Sequence, residues 1–405
     1  MCFVRIKAAA KLLKKPIVFA HNCVFHHSQR AQRIPLTYRT VAILRAQLQR
    51  PGHRGLSMCC SVLWLISSSA CSLVGTPNIG GGTPNIKVQF VNSRAGWIVG
   101  ERLWRTDDGG LTWKTVRSNG FGTFKAEYVG YGHRAIQFID SEVAVQLVGN
   151  TLAKTTDGGR TWAQKLPIPT PDNQDIPPQT VFFFSRELGW IVGELVYRTT
   201  DGGSNWQVVS STPLGDSQNQ RNMRIAPAYA DYMPSLWFTD PKHGVMARLD
   251  GEVYATSDGG DTWQLVLRAD RRINDLIFVD AQDGWMVGTE GFLAKTVDGG
   301  RTWTTLRTPT TADLNSISFA GKRIGCAVGE DGTILFTKDG GLTWNIAPIP
   351  FTRSRPPLAS IGFADELHAW AVGGNSDPMK PSLSAPSSVV VATDDGGQTW
   401  RVVQL

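Results

Sequence analysis

One eight-residue pattern, Thr-x-Asp-Gly-Gly-x-Thr/Asn-Trp, recurs along this chain at Thr106–Trp113, Thr155–Trp162, Thr199–Trp206, Thr256–Trp263, Thr296–Trp303, Thr337–Trp344 and Thr393–Trp400. Its aspartates, Asp108, Asp157, Asp201, Asp258, Asp298, Asp339 and Asp395, lie 49, 44, 57, 40, 41 and 56 residues apart. A fixed motif at this period marks a repeat architecture, so each copy should belong to one supersecondary unit. Asp-Gly is a strong short-range hairpin signal, because glycine adopts positive φ without steric cost. The carboxylate can accept hydrogen bonds from turn amides, and the Trp enters the next strand as a large apolar anchor. All seven aspartates read as structural.

A second element precedes each box. Phe90-Val91-Asn92 leads to Gly96-Trp97-Ile98-Val99-Gly100, and Phe183-Phe184 to Gly189-Trp190-Ile191-Val192-Gly193. Phe278 leads to Gly284-Trp285-Met286-Val287-Gly288, and Phe363 to Ala369-Trp370-Ala371-Val372-Gly373. In the three weaker repeats Gln146, Val245 and Cys326 are read at the Trp position. Each repeat therefore supplies four short strands, with no helical pattern between repeats. The expected fold is all-β: a seven-bladed β-propeller over 86–405, with four antiparallel strands and one Asp-box hairpin per blade. Both ends of the domain supply complete blades, so the ring is expected to close by side-chain packing between blades one and seven.

The charge of +7 is unevenly spread. Eleven of the 41 Lys and Arg fall in 1–70, where no Asp or Glu occurs, leaving 30 basic against 34 acidic residues and a net −4 for the remainder. A mildly acidic domain argues against nucleic acid as a partner. Residues 1–57 read as a basic, acid-free leader, arising from a start codon placed too early or from an organelle transit segment. Residues 58–70 read as an export signal: Arg50 and Arg54 precede the short apolar run Val62–Ile66, and small residues follow it. The Ala70-Cys71 junction is similar to a bacterial lipobox, which makes Cys71 a lipidation candidate, although Ser68 departs from that pattern. Residues 71–85, with their repeated Thr-Pro-Asn-Ile, read as a tether. Cys326 is the one cysteine within the domain, so no intrachain disulfide framework is available.

Gly-Trp-Ile-Val-Gly-Glu at 96–101 and 189–194, with the Thr-Thr-Asp-Gly-Gly boxes, resembles the photosystem II assembly and stability factors, a family of Asp-box (bacterial neuraminidase repeat) propellers. The resemblance covers 86–405. It implies a lumenal assembly chaperone that binds a newly made reaction-centre subunit without catalysis. The expectation is then an exported monomer on the outer face of a membrane, or in the thylakoid lumen of a photosynthetic organism. Its membrane contact would be confined to a lipid anchor.

The alternative is an extracytoplasmic carbohydrate-active enzyme, glycosidase or sialidase-like, or a carbohydrate-binding propeller. Arg33-Ile34-Pro35 matches a sialidase motif but lies ahead of the export signal. Glu101, Glu194, Glu290 and Glu330 recur at the same turn, whereas a catalytic acid should break the repeat. The histidines lack metal-ligand spacing. No catalytic residue, metal or cofactor is expected.

The long departures from the repeat are Arg117–Arg134, Gln164–Thr180, Ser210–Ser235, Asn345–Ala359 and Gly374–Ser388. All should emerge opposite the boxes. Loops that escape a repeat on a rigid scaffold are where binding concentrates. Arg221, Arg224, Arg271, Arg272, Arg353, Arg355, Tyr229 and Tyr232 lie in these loops or in the short blade connection before Ile273, and Arg and Tyr are enriched at binding hot spots. They are the expected partner-binding residues, with Arg271–Arg272 foremost.

Overall fold

The computed structural model describes residues 86–100, 102–116, 136–148, 150–162, 164–169, 178, 180–211, 234–348, 350–351, 355–374 and 389–405. The expected leader, export signal, Cys71 and tether lie outside them. The described residues form seven four-stranded antiparallel sheets, each with its strands in chain order. The blades span 87–115, 136–167, 180–211, 235–268, 273–305, 314–346 and 358–403. The chain is a seven-bladed β-propeller. First strands of successive blades pack on one another and lie innermost. First and second strands such as Lys87–Phe90 and Gly96–Val99 are buried along their whole length. That burial explains the near-continuous apolar runs of second strands such as Gly96–Val99. Outer strands such as Lys114–Thr115 are short and exposed.

Adjacent blades are keyed by aromatic stacking. Trp97 lies on Phe138 of the next blade with ring centroids 4.0 Å apart, Trp190 on Phe238 at 3.6 Å, and Trp285 on Phe319 at 3.9 Å. Trp370 of blade 7 meets Phe90 of blade 1 at 4.9 Å. The Trp97 and Trp190 indole N–H groups donate to the carbonyls of the neighbouring box glycines Gly158 and Gly259, at 3.2 and 2.8 Å. Even-numbered blades carry smaller residues at this position. Cross-strand pairing places Val145 there in blade 2, opposite Lys154, as Trp97 is opposite Arg105. The sequence expectation of Gln146 was one residue off, because Ala144 takes the place of the preceding glycine. The close approach also explains the second box glycine. A Cβ on Gly300, at φ +86°, would sit 2.4 Å from Val245, and one on Gly397, at φ +94°, would sit 2.2 Å from Cys326.

A polar belt runs around the axis inside this aromatic ring. The residue three before the inner-strand Phe reaches the peptide two before the Phe of the next blade. Lys87 donates to Ile136 O at 2.7 Å, and Asp275 accepts the Ile317 N–H at 3.0 Å. Ser316 accepts the Ile361 N–H at 3.4 Å, and Ser360 accepts that of Val88 at 3.2 Å. Gln89 and Gln137 each bond both backbone groups of the next blade's Phe. Thr180 and Ser235 depart from the rule: Thr180 donates to Pro234 O at 2.7 Å, and the buried hydroxyl of Ser235 has no partner. The matching N–H, that of Leu276, is bonded by the Asp275 carboxylate of its own strand at 2.9 Å. Among the described residues no strand crosses between the termini of the domain. Blade 7 closes on blade 1 through Trp370, Phe90 and the Ser360–Val88 bond.

Candidate functional site: the connection face

The two faces of the propeller differ in kind. On one, every box is a closed cage. Asp298 accepts the Thr296 hydroxyl at 2.8 Å, the Thr302 N–H at 2.9 Å and the Thr302 hydroxyl at 2.6 Å. Thr296 in turn accepts the Gly300 N–H. The first box glycine then donates to the turn between strands one and two of its own blade, as Gly109 does to Arg94 O and Gly396 to Leu367 O. The same Thr-to-Asp bond holds the other six boxes. The oxygens of these carboxylates are taken up by donors of the turn itself. At Asp201 the Asn205 backbone N–H, the Asn205 side-chain amide and the Thr199 hydroxyl hold the pKa down at about 2.

The opposite face holds the connections between blades and the turns between strands two and three. These interlock. Thr289 N–H donates to Arg272 O at 3.0 Å, Glu330 N–H to Asp313 O at 2.9 Å, and Gly374 N–H to Pro357 O at 3.0 Å. Residues 117–135, 212–233 and 375–388 lie outside the described residues.

Arg271, Arg272 and Arg355 are described residues, and all three lie on this face. Arg271 is already ion-paired, to Asp270 at 2.9 Å and Glu290 at 3.0 Å. Arg272 is half-buried, and its backbone N–H donates to the Thr289 hydroxyl at 3.2 Å. Arg355 is exposed beside the Gly332 turn. Arg221, Arg224, Arg353, Tyr229 and Tyr232 lie outside the described residues. Arg271 is thus held within its own turn, and Arg355 is the most exposed of the three.

The recurring glutamates share a position but not an environment. Glu290 pairs with Arg271, Glu330 accepts the Asn315 amide at 3.0 Å, and one Glu194 oxygen is buried without a partner. Glu101 is outside the described residues. Cys326 is fully buried, its Sγ 4.0 Å from Gly396 O, and burial pushes its thiol pKa far above the ordinary range. A thiol held protonated there is inert. The sequence reading missed the two charges of the axial belt. Burial pulls Lys87 down to about 8, and burial pushes Asp275 up to about 7 against the hydrogen bonds it accepts. The detectable signal was an Asp at the place where the next two blades carry Ser316 and Ser360.

The family model described as photosynthesis system II assembly factor YCF48 matches residues 132–228 and 264–351. A solved structure described as YCF48 bound to D1 peptide is similar over 67% of this chain and 81% of that one, with 23% identity and TM-score 0.50. YCF48 from Cyanidioschyzon merolae is similar over 75% and 97%, with 18% identity and TM-score 0.54. A GH74 xyloglucanase from Xanthomonas campestris is similar over 82% and 68%, at 10% identity and TM-score 0.47. No curated protein sequence matches significantly. With the seven boxes and the Trp-Val-Gly strands, the family-model match supports a photosystem II assembly factor-like Asp-box β-propeller.

Proposed function

We propose that this protein is an exported, non-catalytic propeller that binds a photosystem II reaction-centre subunit during assembly, as a monomer. Cys71 carries a lipid anchor that keeps it at the outer face of the membrane, or in the thylakoid lumen. The observation that supports the reading is the difference between the faces: the boxes on one side are closed on their own donors, while the blade connections carrying Arg271, Arg272 and Arg355 lie on the other. A relative of the same fold is described as bound to a D1 peptide, which gives the reading its partner. Arginine suits this role because its planar fork pairs with carboxylates bidentately.

The ion pairs change which variant tests the idea. Reversing Arg271 would place a third carboxylate beside Asp270 and Glu290 and disturb the turn itself. Arg355→Glu combined with Arg221→Glu reverses charge while keeping Asp270, Arg271 and Glu290 themselves unchanged. Titration with a synthetic D1 peptide should show at least a tenfold weaker complex for the double variant, and salt-sensitive binding for the parent. Undiminished binding by the double variant would remove the arginines and leave Tyr229 and Tyr232 as the contact. N-terminal mass spectrometry of the native protein should find lipidated Cys71 first; peptides from 1–57 in the mature product would refute the processing.

A further inference from the structure

On the box face, where blade 7 meets blade 1, a cleft of about 170 Å3 opens between the first box and the last strand. Leu111, Trp113, His368, Asp394, Arg401 and Gln404 are among the residues that line it. We infer that this cleft holds one uncharged sugar ring, at a site separate from the connection-face surface.

The charges of the lining cancel in pairs. Arg401 engages Asp394 through two nitrogens, at 3.2 and 3.4 Å, and His368 Nδ1 meets Asp365 at 2.8 Å. An anion entering the cleft would meet Asp394 beside Arg401, and a cation the reverse, so neither finds an uncompensated counter-charge. What remains is hydrogen-bonding capacity of both senses. Arg401 keeps N–H donors beyond the two that meet Asp394, and His368, with Nδ1 turned to a carboxylate, keeps Nε2 as an acceptor when neutral. The exposed Gln404 amide both donates and accepts. Donors and acceptors side by side suit hydroxyl groups, each of which gives one hydrogen bond and takes others.

Size and the remaining wall select a ring. Pockets for drug-sized ligands begin near about 300 Å3, so this cleft takes one ring and not a chain of them. Trp113 is half-buried, and Leu111 stands at the box tip, 81% exposed. A pyranose carries hydroxyls around its rim and C–H groups on its faces, so it meets polar side chains and an apolar wall together. The negative face of an aromatic ring attracts such C–H groups. The polar set also departs from the repeat. At the position of Asp394 the other boxes carry Asp107, Thr156, Thr200, Ser257, Val297 and Lys338, and the one other acid, Asp107, is taken up by Arg105 at 2.6 Å.

The test is saturation-transfer NMR on the full chain, titrated with methyl β-D-glucopyranoside and with methyl β-D-galactopyranoside. At least one should bind saturably, near a dissociation constant of about 1 mM, with transfer greatest to its ring C–H protons. Sodium acetate and acetyl-phenylalaninamide, the anionic and aromatic alternatives, should not displace it at equal concentration. Arg401→Leu should weaken binding at least tenfold. Gln404→Ala, beyond the last strand, should weaken it several-fold and leaves the seam itself intact. Phosphatidylcholine vesicles carrying a diacylglycerol with the same sugar identify its source: capture that the free glycoside blocks makes the ring a lipid headgroup, and no capture makes it a soluble glycan. The Arg221→Glu/Arg355→Glu variant should bind the sugar as the parent does, which separates this site from the proposed function. No saturable response to either glycoside, binding unchanged in both cleft variants, or displacement by acetate or the phenylalanine amide overturns the inference.

Discussion

The hydroxyl of Ser360 accepts the backbone N–H of Val88 at 3.2 Å, joining strands 272 residues apart in sequence. Within the same seam Trp370 meets Phe90, and the box glycine Gly110 is so close to the Trp370 ring that a Cβ would sit 2.2 Å away. Every other seam of the propeller joins blades that follow one another directly in the chain. This one bears the largest loop-closure entropy, and no exchanged strand offsets it.

The closing seam should therefore be the first to open. Trp370→Ala removes a buried indole and should cost about 3–5 kcal/mol, seen as a lower denaturation midpoint. Hydrogen exchange should accelerate first at the inner strands of blades 1 and 7. Equal acceleration in all seven blades would mean that the ring opens as one unit.

Box aspartates should matter for folding alone. Asp298→Ala strips the acceptor from the Thr302 N–H and hydroxyl and from the Thr296 hydroxyl. Water can replace part of this at a half-exposed turn, so a cost of about 1–2 kcal/mol is expected, with partner affinity unchanged. Lost binding at an unaltered melting temperature would assign the box a functional role.

The same cages set the acid limit of the fold. Burial opposes ionisation at Asp108, but bonds from Thr112 and Thr106 prevail and hold its pKa at about 2. Asp157, Asp258, Asp298, Asp339 and Asp395 are shifted in the same direction. A carboxylate with a depressed folded pKa gives stability that is full above its unfolded value, near 4, and lost as pH falls through the folded value. Denaturant midpoints should fall steeply between about pH 4 and pH 2. A parent protein as stable at pH 2 as at pH 5 would show that the cages do not depend on charge.

The repeat made the blades, the boxes and the two unlike faces legible, because each follows from local spacing. What lay beyond reach was set by contacts between blades. Gln146 was assigned to the Trp position since only cross-strand pairing shows that Ala144 has replaced a glycine. The pairing of Arg271 with Glu290 joins a blade connection to a turn 19 residues later, a geometry that spacing does not specify. Trp113 and Arg401 stand at opposite ends of the domain, so the cleft between them exists only once the ring has closed.

Asp275 and Lys87 should give the protein a stability minimum near neutral pH. Asp275 is fully buried and its pKa is raised to about 7. The folded state keeps that proton up to about pH 7, whereas the unfolded chain releases it near 4, so this group's contribution is full below about 4 and lost as pH rises to 7. Lys87 is lowered to about 8, and its deficit is relieved only as pH rises from there towards about 10.4. Between the two values both side chains are charged inside the axial belt, each desolvated. Asp275→Ser would copy Ser316 and Ser360 in the next two blades, and would free the Leu276 N–H for the orphaned Ser235 hydroxyl. The variant should match or exceed the parent in stability at pH 8, and the parent should regain ground as pH falls to 5. Chemical denaturation of both proteins at the two pH values measures this directly; a stability difference that does not change with pH would show that Asp275 is not titrating in that window.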